Sequence, residues 1–593
     1  MGLLAPRKPD FDIAEWRSRP ILERIKPIVV DWGQNGFGSP GGVYFFYLFK
    51  MIAYILGALF IIAATPGLGP VSDVAAWWTE PIVYQKVIVW TLLFEVLGFG
   101  CGSGPLTFRF LPPIGALTYW LRPGTVRLPP WPGTVPGTRG DRRGAVDVVL
   151  YVAVIASAVW LLSSPGAVQV GALGNSVGLI DPVRLVPLMV LLPLLGLRDK
   201  TIFLAARSEQ YWVPLFFFLF SATDIIVALK LLMVAIWWGA ATSKLNRHFP
   251  FVVSVMISNS PFMRVKRIKR KLFRDYPRDM RPSKLSATAA HLGTVIEFTV
   301  PLVLLLSTGG PLTWVALVIM VIFHLHIIST FPLGVPLEWN VYVIFGALFL
   351  FGNYAEVGVT SLESPVLMVV MLAFLVIGPV LGNAKPHLIS FLPAMRYYAG
   401  NWATSMWAFR KGSEQKLDQH ITKSVATQKA QLTKLYGEEM AELLMQKAVV
   451  FRSMHTHGRA LLGLLPRAVD DTRDYDVREG EFVAGVVLGW NFGEGHLHHE
   501  QLIRAIQRRC GFEEGEVRVI LLESQPMQHQ RQHYRIVDVA TGVIEEGHVD
   551  VKDMCERQPW LGGDGTIPVR PLSGRGSEQA AERARDTERA RRE

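Results

Sequence analysis

The run "PLFFFLFSATDIIVALKLLMVAIWWGA" (residues 214–240) contains Asp224 and Lys230 as its only ionisable residues. A helix needs roughly 20 apolar residues to cross the hydrocarbon core of a bilayer, and this run exceeds that. Comparable runs precede it: "YFFYLFKMIAYILGALFIIAA" (44–64), "IVYQKVIVWTLLFEVLGFG" (82–100), "AVDVVLYVAVIASAVWLL" (145–162) and "LVPLMVLLPLLGL" (185–197). Others follow: "LGTVIEFTVPLVLLL" (292–306), "PLTWVALVIMVIFHLHIIST" (311–330), "WNVYVIFGALFLFG" (339–352) and "PVLMVVMLAFLVIGPVL" (365–381). The pattern predicts an α-helical polytopic membrane bundle of about eight to ten spans. Composition agrees, with 50% hydrophobic and 18% charged residues and a mean hydropathy of +0.29.

The net charge of +11 is informative by position. Cations crowd the N-terminus and residues 107–143, 198–200 and 264–284, whereas "SSPGAVQVGALGNSVGLID" (163–181) has none and "AEVGVTSLES" (355–364) is acidic. The positive-inside rule puts the basic segments and both termini in the cytoplasm and the other two loops outside. Basic loops flank the 209–242 run, so it crosses twice or not at all. Beside membrane spans, basic stretches signal topology or anionic-lipid contact; nucleic acid is not an expected partner. The first forty residues lack signal-peptide features, so insertion through the first helix is expected. Three cysteines, Cys101, Cys510 and Cys555, make neither a disulfide framework nor a zinc motif.

Composition divides the chain into a cytoplasmic or interfacial lead (1–40), a membrane domain (41–385), a small cytoplasmic α+β domain (395–570) and a disordered charged tail (571–593). Within the cytoplasmic domain, residues 413–451 read as helical. "GEFVAGVVLGW" (480–490) reads as a strand and "HLHHEQLIRAIQRRC" (496–510) as a helix. Residues 516–524, 533–541 and 542–551 read as strands, the last two joined at Thr541–Gly542. The expected unit is βαβββ, with a surface that could dock a cytoplasmic protein.

Ionisable residues inside spans are costly and face a cavity or a partner. Here they are Glu95, Asp224, Lys230, His291, Glu297, His324 and His326. Glu95 and Asp224, with Arg207, are candidate cavity-lining residues, and Glu95 precedes a glycine-rich bend, "GFGCGSGPL" (98–106). The alternative is pairing between helices. Lys244, in "WWGAATSKLNRHFPF" (237–251), ends a span before a polar turn. Partly desolvated, it could act as a base; otherwise it is a lysine snorkelling to the interface.

These residues carry a resemblance. "GAATSKLNRHF" (239–249) and "FHLHIISTFPLGVPLEWNVYVIFG" (323–346), with "RDKT" (198–201) upstream, resemble the membrane domain of vitamin K-dependent γ-glutamyl carboxylase and its bacterial relatives, the horizontally transferred transmembrane group. The resemblance implies that Lys244 is a base deprotonating a quinone-like lipid, with His324 in the family's later histidine position; a membrane enzyme of this kind could use His324 and Glu297 as acid or orienting groups. The chain departs from that pattern in two places. No histidine follows RDKT within residues 202–212, and the tryptophan expected after Lys-Leu is absent, Phe249 being nearest. The C-terminal part is expected in the cytoplasm, so carboxylation of proteins is not expected. Across its length, including residues 122–138 and 557–560, the chain also resembles a family of uncharacterised actinobacterial polytopic transmembrane proteins, which implies a plasma-membrane address. The competing functional expectation is a non-catalytic lipid-binding or transport protein, or a scaffold.

"GWNFGEGHLHHE" (489–500) is the densest group of acid/base side chains. His496 and Glu500 share a helix face, and His496 and His498 are candidate binding residues. Asn491 or Glu494 could cap the helix. A metal would need another ligand from His529, His533 or His548. The favoured reading is a shape-setting turn or docking surface, with no metal assigned.

Overall fold

Serines start three of the membrane helices. The Oγ atoms of Ser221, Ser283 and Ser364 accept hydrogen bonds from the backbone N–H groups of Asp224, Ser286 and Leu367, satisfying donors that a helix start leaves open. The computed structural model describes residues 3–100, 116–331, 337–389, 395–396, 399–490 and 494–574. An amphipathic helix, α1 (Ile21–Asn35), leads into the bundle. The bundle begins α2 (Gly41–Ala63), α3 (Pro81–Val96), α4 (Ala145–Leu162), α5 (Pro182–Arg198), α6 (Ser208–Phe217) and α7 (Ala222–Ser243). It continues α8 (Phe249–Asn259), α9 (Lys284–Leu306), α10 (Gly310–Thr330), α11 (Leu337–Ala347, extended by a π turn to Asn353) and α12 (Pro365–Ala384).

Among the described residues six helices, α2, α4, α7, α9, α10 and α12, are long and apolar enough to cross a membrane. The expected eight to ten are reached only by adding shorter helices such as α3, α5 and α11. Helix α3 is buried over nearly its whole surface, while α2, α4 and α10 expose Phe45, Val149 and Val318 on an outer face. The apolar run at 214–240 is divided: α6 and α7 meet at a turn around residues 218–221, and of the two only α7 is long and apolar enough to cross a membrane.

Loops sort to the two ends of α7. At its start, Gln169 Nε2 donates to Phe220 O (3.0 Å) and Gln169 Oε1 accepts from Ala222 N (2.7 Å). Asp224 accepts from Glu363 N (2.8 Å), and Lys230 Nζ donates to Tyr354 O (2.7 Å). The loops around 163–181 and 355–364 therefore lie together. At the other end the basic segments meet the C-terminal domain: Tyr119 donates to Val486 O (2.7 Å), Arg509 pairs with Asp141 (3.2 Å), and Met280 N donates to Gln558 (2.8 Å). Helix α1 is on this side too, with Trp32 against Phe451 and Phe37 O accepting from Lys447. The lead is thus packed between bundle and C-terminal domain.

That domain holds β1 (Thr404–Arg410), α13 (Glu438–Ser453), α14 (Thr456–Ala468), β2 (Tyr475–Glu479), α15 (Gly480–Leu488), α16 (Glu500–Cys510), β3 (Val517–Leu522), β4 (Arg531–Asp538), β5 (Gly542–Asp550) and β6 (Val569–Gly574). The six strands form one antiparallel sheet in the order β2-β1-β3-β4-β5-β6. This corrects the βαβββ expectation. The segment "GEFVAGVVL" is helix α15, capped by the Glu479 carboxylate on Phe482 N. All its residues are buried, so it lacks the polar face that separates helix from strand in sequence. Strands β1 and β2 went unread because they are short and nearly fully buried. The 413–451 stretch is three helices, broken between His420 and Gln428 and again at Gly437 (φ +80°). Residues 101–106 of the glycine-rich bend, Asn491 and the tail beyond 574 lie outside the described residues.

Candidate functional site

Helix α7 ends in "GAATS", a run of small residues with Lys244 at its C-cap. Gly239 lets the Met395 side chain approach closely: a Cβ there would sit 3.0 Å from it, so a larger residue needs Met395 to shift by a few tenths of an ångström. Lys244 turns inward, its side chain 4% exposed, and forms a buried ion pair with Glu297 of α9, whose side chain is 5% exposed. It does not snorkel. Its Nζ also lies over the rings of Phe249 (5.1 Å) and Phe323 (5.9 Å), a cation–π arrangement that offsets part of the lost hydration.

His324 of α10 stands behind the pair. Its Nε2 accepts from the Trp237 indole N–H (3.0 Å) and its Nδ1 bonds Asn340 Oδ1 (2.7 Å). The indole can only donate, so Nε2 is unprotonated and the proton is on Nδ1. The ring is held neutral, in one tautomer.

Lys244, Glu297 and His324 line one cavity of about 110 Å³ with Trp237, Phe249 and Phe323. Its walls are otherwise almost wholly apolar. Its rim includes half-buried Val253 and Gly293 and exposed His326, on the faces of α8, α9 and α10 that the bundle leaves uncovered. Across the turn at 242–247 is a second, polar cavity of about 480 Å³, lined by Arg247, His291, Asn401 and Gln525.

The sequence model of a family described as "Transmembrane protein of unknown function (DUF3556)" matches residues 1–572. The chain belongs to this family. No curated protein and no solved structure matches it. With the six long apolar helices, membership identifies a multi-pass membrane protein.

The remaining sequence candidates stand elsewhere in this DUF3556 protein. Asp224 clamps the 355–364 loop at the far end of α7, so it fastens the bundle and lines no part of the Lys244 cavity. Arg207 is buried at the corner before α6, in the left-handed region (φ +55°), and also misses that cavity. Glu95 is buried on α3, against Gly100, and is not among the cavity's walls. Asp199 of "RDKT" holds Arg143 (2.5 Å) and the Thr201 hydroxyl (2.8 Å), a structural role. His291 belongs to the polar cavity.

In the C-terminal domain, His496 lies between two carboxylates: Nδ1 is 2.6 Å from Glu494 and Nε2 is 2.7 Å from Glu523. Burial opposes its charge, but the two carboxylates prevail and raise its pKa to about 10. His498 points elsewhere, 3.4 Å from Ser405 Oγ, and burial lowers its pKa to about 3. The candidate third ligands do not approach: His533 and His548 face each other across β4 and β5.

Sequence reading missed Trp237 and Asn340 as His324's partners. Asn340 was visible only as a polar residue at the start of an apolar helix. It also missed the buried stack of Trp402, His455 and His457, whose one signal is the alternating "HTH" at 455–457.

Proposed function

We propose that the bundle takes a lipid-soluble, quinone-like molecule from the bilayer into the cavity between α7, α8, α9 and α10, where Lys244 acts on it as a base. The observation that supports this most is the Lys244–Glu297 pair in an otherwise apolar, laterally placed cavity. Taking two charges out of water is expensive, and a buried pair is weak evidence for stability; an ionisable pair at membrane depth that lines a cavity is a functional-site candidate.

The pair suits proton transfer. Passing its proton from Lys244 to Glu297 leaves two neutral groups and a free amine lone pair. A substrate hydroxyl can give its proton to that amine, and the resulting oxyanion is then paired with the ammonium. His324, locked by Trp237 and Asn340, serves as a positioning residue, because both its nitrogens are engaged. At about 110 Å³ the cavity is smaller than the engineered one of about 150 Å³ that takes benzene, so it admits the edge of a ring or a short alkyl segment. The remainder of a lipid would lie along α9 and α10. The quinone-like class rests on the likeness of residues 239–249 and 323–346 to the carboxylase group. On this reading the basic end and both termini face the cytoplasm of a plasma membrane, and the soluble domain can dock a cytoplasmic protein.

A second reading, a lipid carrier without chemistry, draws on the same closed contacts: Lys244 is already satisfied by Glu297. Lipid extraction from purified protein, followed by mass spectrometry, separates these readings from a purely structural pair. One enriched lipid-soluble species in the wild type, depleted in Gly293→Leu at the cavity rim, supports the site. Equal, unselective lipid in both proteins contradicts it.

A further inference from the structure

The segment before α16 carries a second constellation, independent of the membrane cavity. His496, His499 and the Glu523 carboxylate place one ligand atom each within 4.8 Å of one another. His499 is only 7% exposed, and its Nε2 has no hydrogen-bond partner among the described residues. The two imidazoles stand edge to face at 5.0 Å. An unmatched buried imidazole nitrogen beside a histidine and a carboxylate is a donor set that a metal ion can use.

We propose that His496, His499 and Glu523 bind one divalent transition metal ion, with zinc the ion this ligand set favours. Two imidazole nitrogens and one carboxylate oxygen leave a fourth, tetrahedral position for water. Glu494, on the far nitrogen of His496, is the outer carboxylate that orients a ligating histidine and raises its basicity. Glu523 is itself held, its Oε1 accepting from Ser524 N at 2.7 Å, which leaves Oε2 for the ion. Zinc displaces the proton between His496 Nε2 and Glu523. It requires that contact to open from 2.7 Å to roughly 3.3 Å, the ligand spacing of a tetrahedron with ~2.0 Å bonds.

The neighbouring charges fit a dication. Glu494 and Glu523 supply two negative charges, Arg396 reaches Ser524 from the other side (2.8 Å), and Arg535 is engaged with Glu500. The site joins the start of α16 to the end of β3. It is also bonded to the membrane domain, because Glu494 N donates to Leu204 O (3.0 Å). Its role is to fasten the soluble sheet to the cytoplasmic corner of the bundle.

The test is metal analysis of the tag-free, full-length protein in detergent after equilibration with zinc and dialysis. The expected result is about one zinc per chain in the wild type, loss of that zinc in His499→Ala, and affinity about 10–100-fold weaker in Glu494→Gln. No retained zinc in the wild type, or an unchanged content in His499→Ala, overturns the site. Should His499→Ala fail to fold, cobalt loading of the wild type decides. Tetrahedral ligand-field bands that zinc abolishes support it, and their absence contradicts it.

Discussion

Lys244 at the end of α7 and Glu297 in the middle of α9 face each other with almost no solvent contact, tying two candidate spans at the point where the bundle is hollow. Glu297→Gln removes the partner and leaves an uncompensated buried ammonium. Breaking such a pair costs about 3–5 kcal/mol, so the variant should melt well below the wild type in detergent. The double change Lys244→Met with Glu297→Leu removes both charges and should recover most of that loss, while ligand chemistry stays abolished. Thermal unfolding of all three proteins checks both statements.

The locked histidine gives a second expectation. Asn340→Leu leaves the His324 Nδ1–H buried without its acceptor, at a cost of about 1–3 kcal/mol. Trp237→Phe removes a donor to Nε2 and frees the ring to change tautomer. If His324 positions the ligand, both variants weaken binding of the co-purified molecule more than they slow its conversion, which titration and single-turnover assays distinguish.

Access to the cavity gives a third. A Cβ added at Gly293 would meet Phe323 at 3.6 Å, an ordinary contact. Gly293→Ala should therefore behave as wild type, whereas Gly293→Leu should narrow the rim. The predicted result is an unchanged melting temperature and a loss of bound lipid-soluble molecule in the leucine variant only, read by mass spectrometry of extracts.

Acid sensitivity is expected of the C-terminal domain. Arg478 grips Glu442 with two parallel contacts of 2.9 and 3.0 Å. Burial alone would raise the Glu442 pKa, but Arg478 overrides it and holds the carboxyl at about 2. The folded value is below the unfolded one, so the pair's contribution is fully present above the usual carboxylate pKa of about 4.3. It is lost as pH falls towards 2, and amounts to about 3 kcal/mol. Glu442→Gln should flatten the fall in melting temperature over that window.

The membrane bundle was legible because a spanning helix must be apolar over its whole length, and residues 44–64 or 311–330 admit no other reading. Lys244, Glu297 and His324 were legible as costly charges in such runs, and the structure brings all three to one cavity. Asp224 carried the same signal and serves another contact, because burial cost alone does not say which neighbour relieves it. The C-terminal domain was less legible. Helix α15 is buried on every face and so loses its period, and β1 pairs with β2 and β3 from distant parts of the chain. Glu523 is separated from His496 by a helix and a strand, so no local spacing announces the Glu494–His496–Glu523 grouping.

The most direct test of the central claim follows the bound molecule through the reaction. Wild type and Lys244→Met, each loaded with the same co-purified lipid-soluble species, are incubated and the extracts compared by mass spectrometry. The account predicts conversion of that species by the wild type and binding without conversion by Lys244→Met. Identical, unaltered extracts from both proteins would contradict Lys244 as a base.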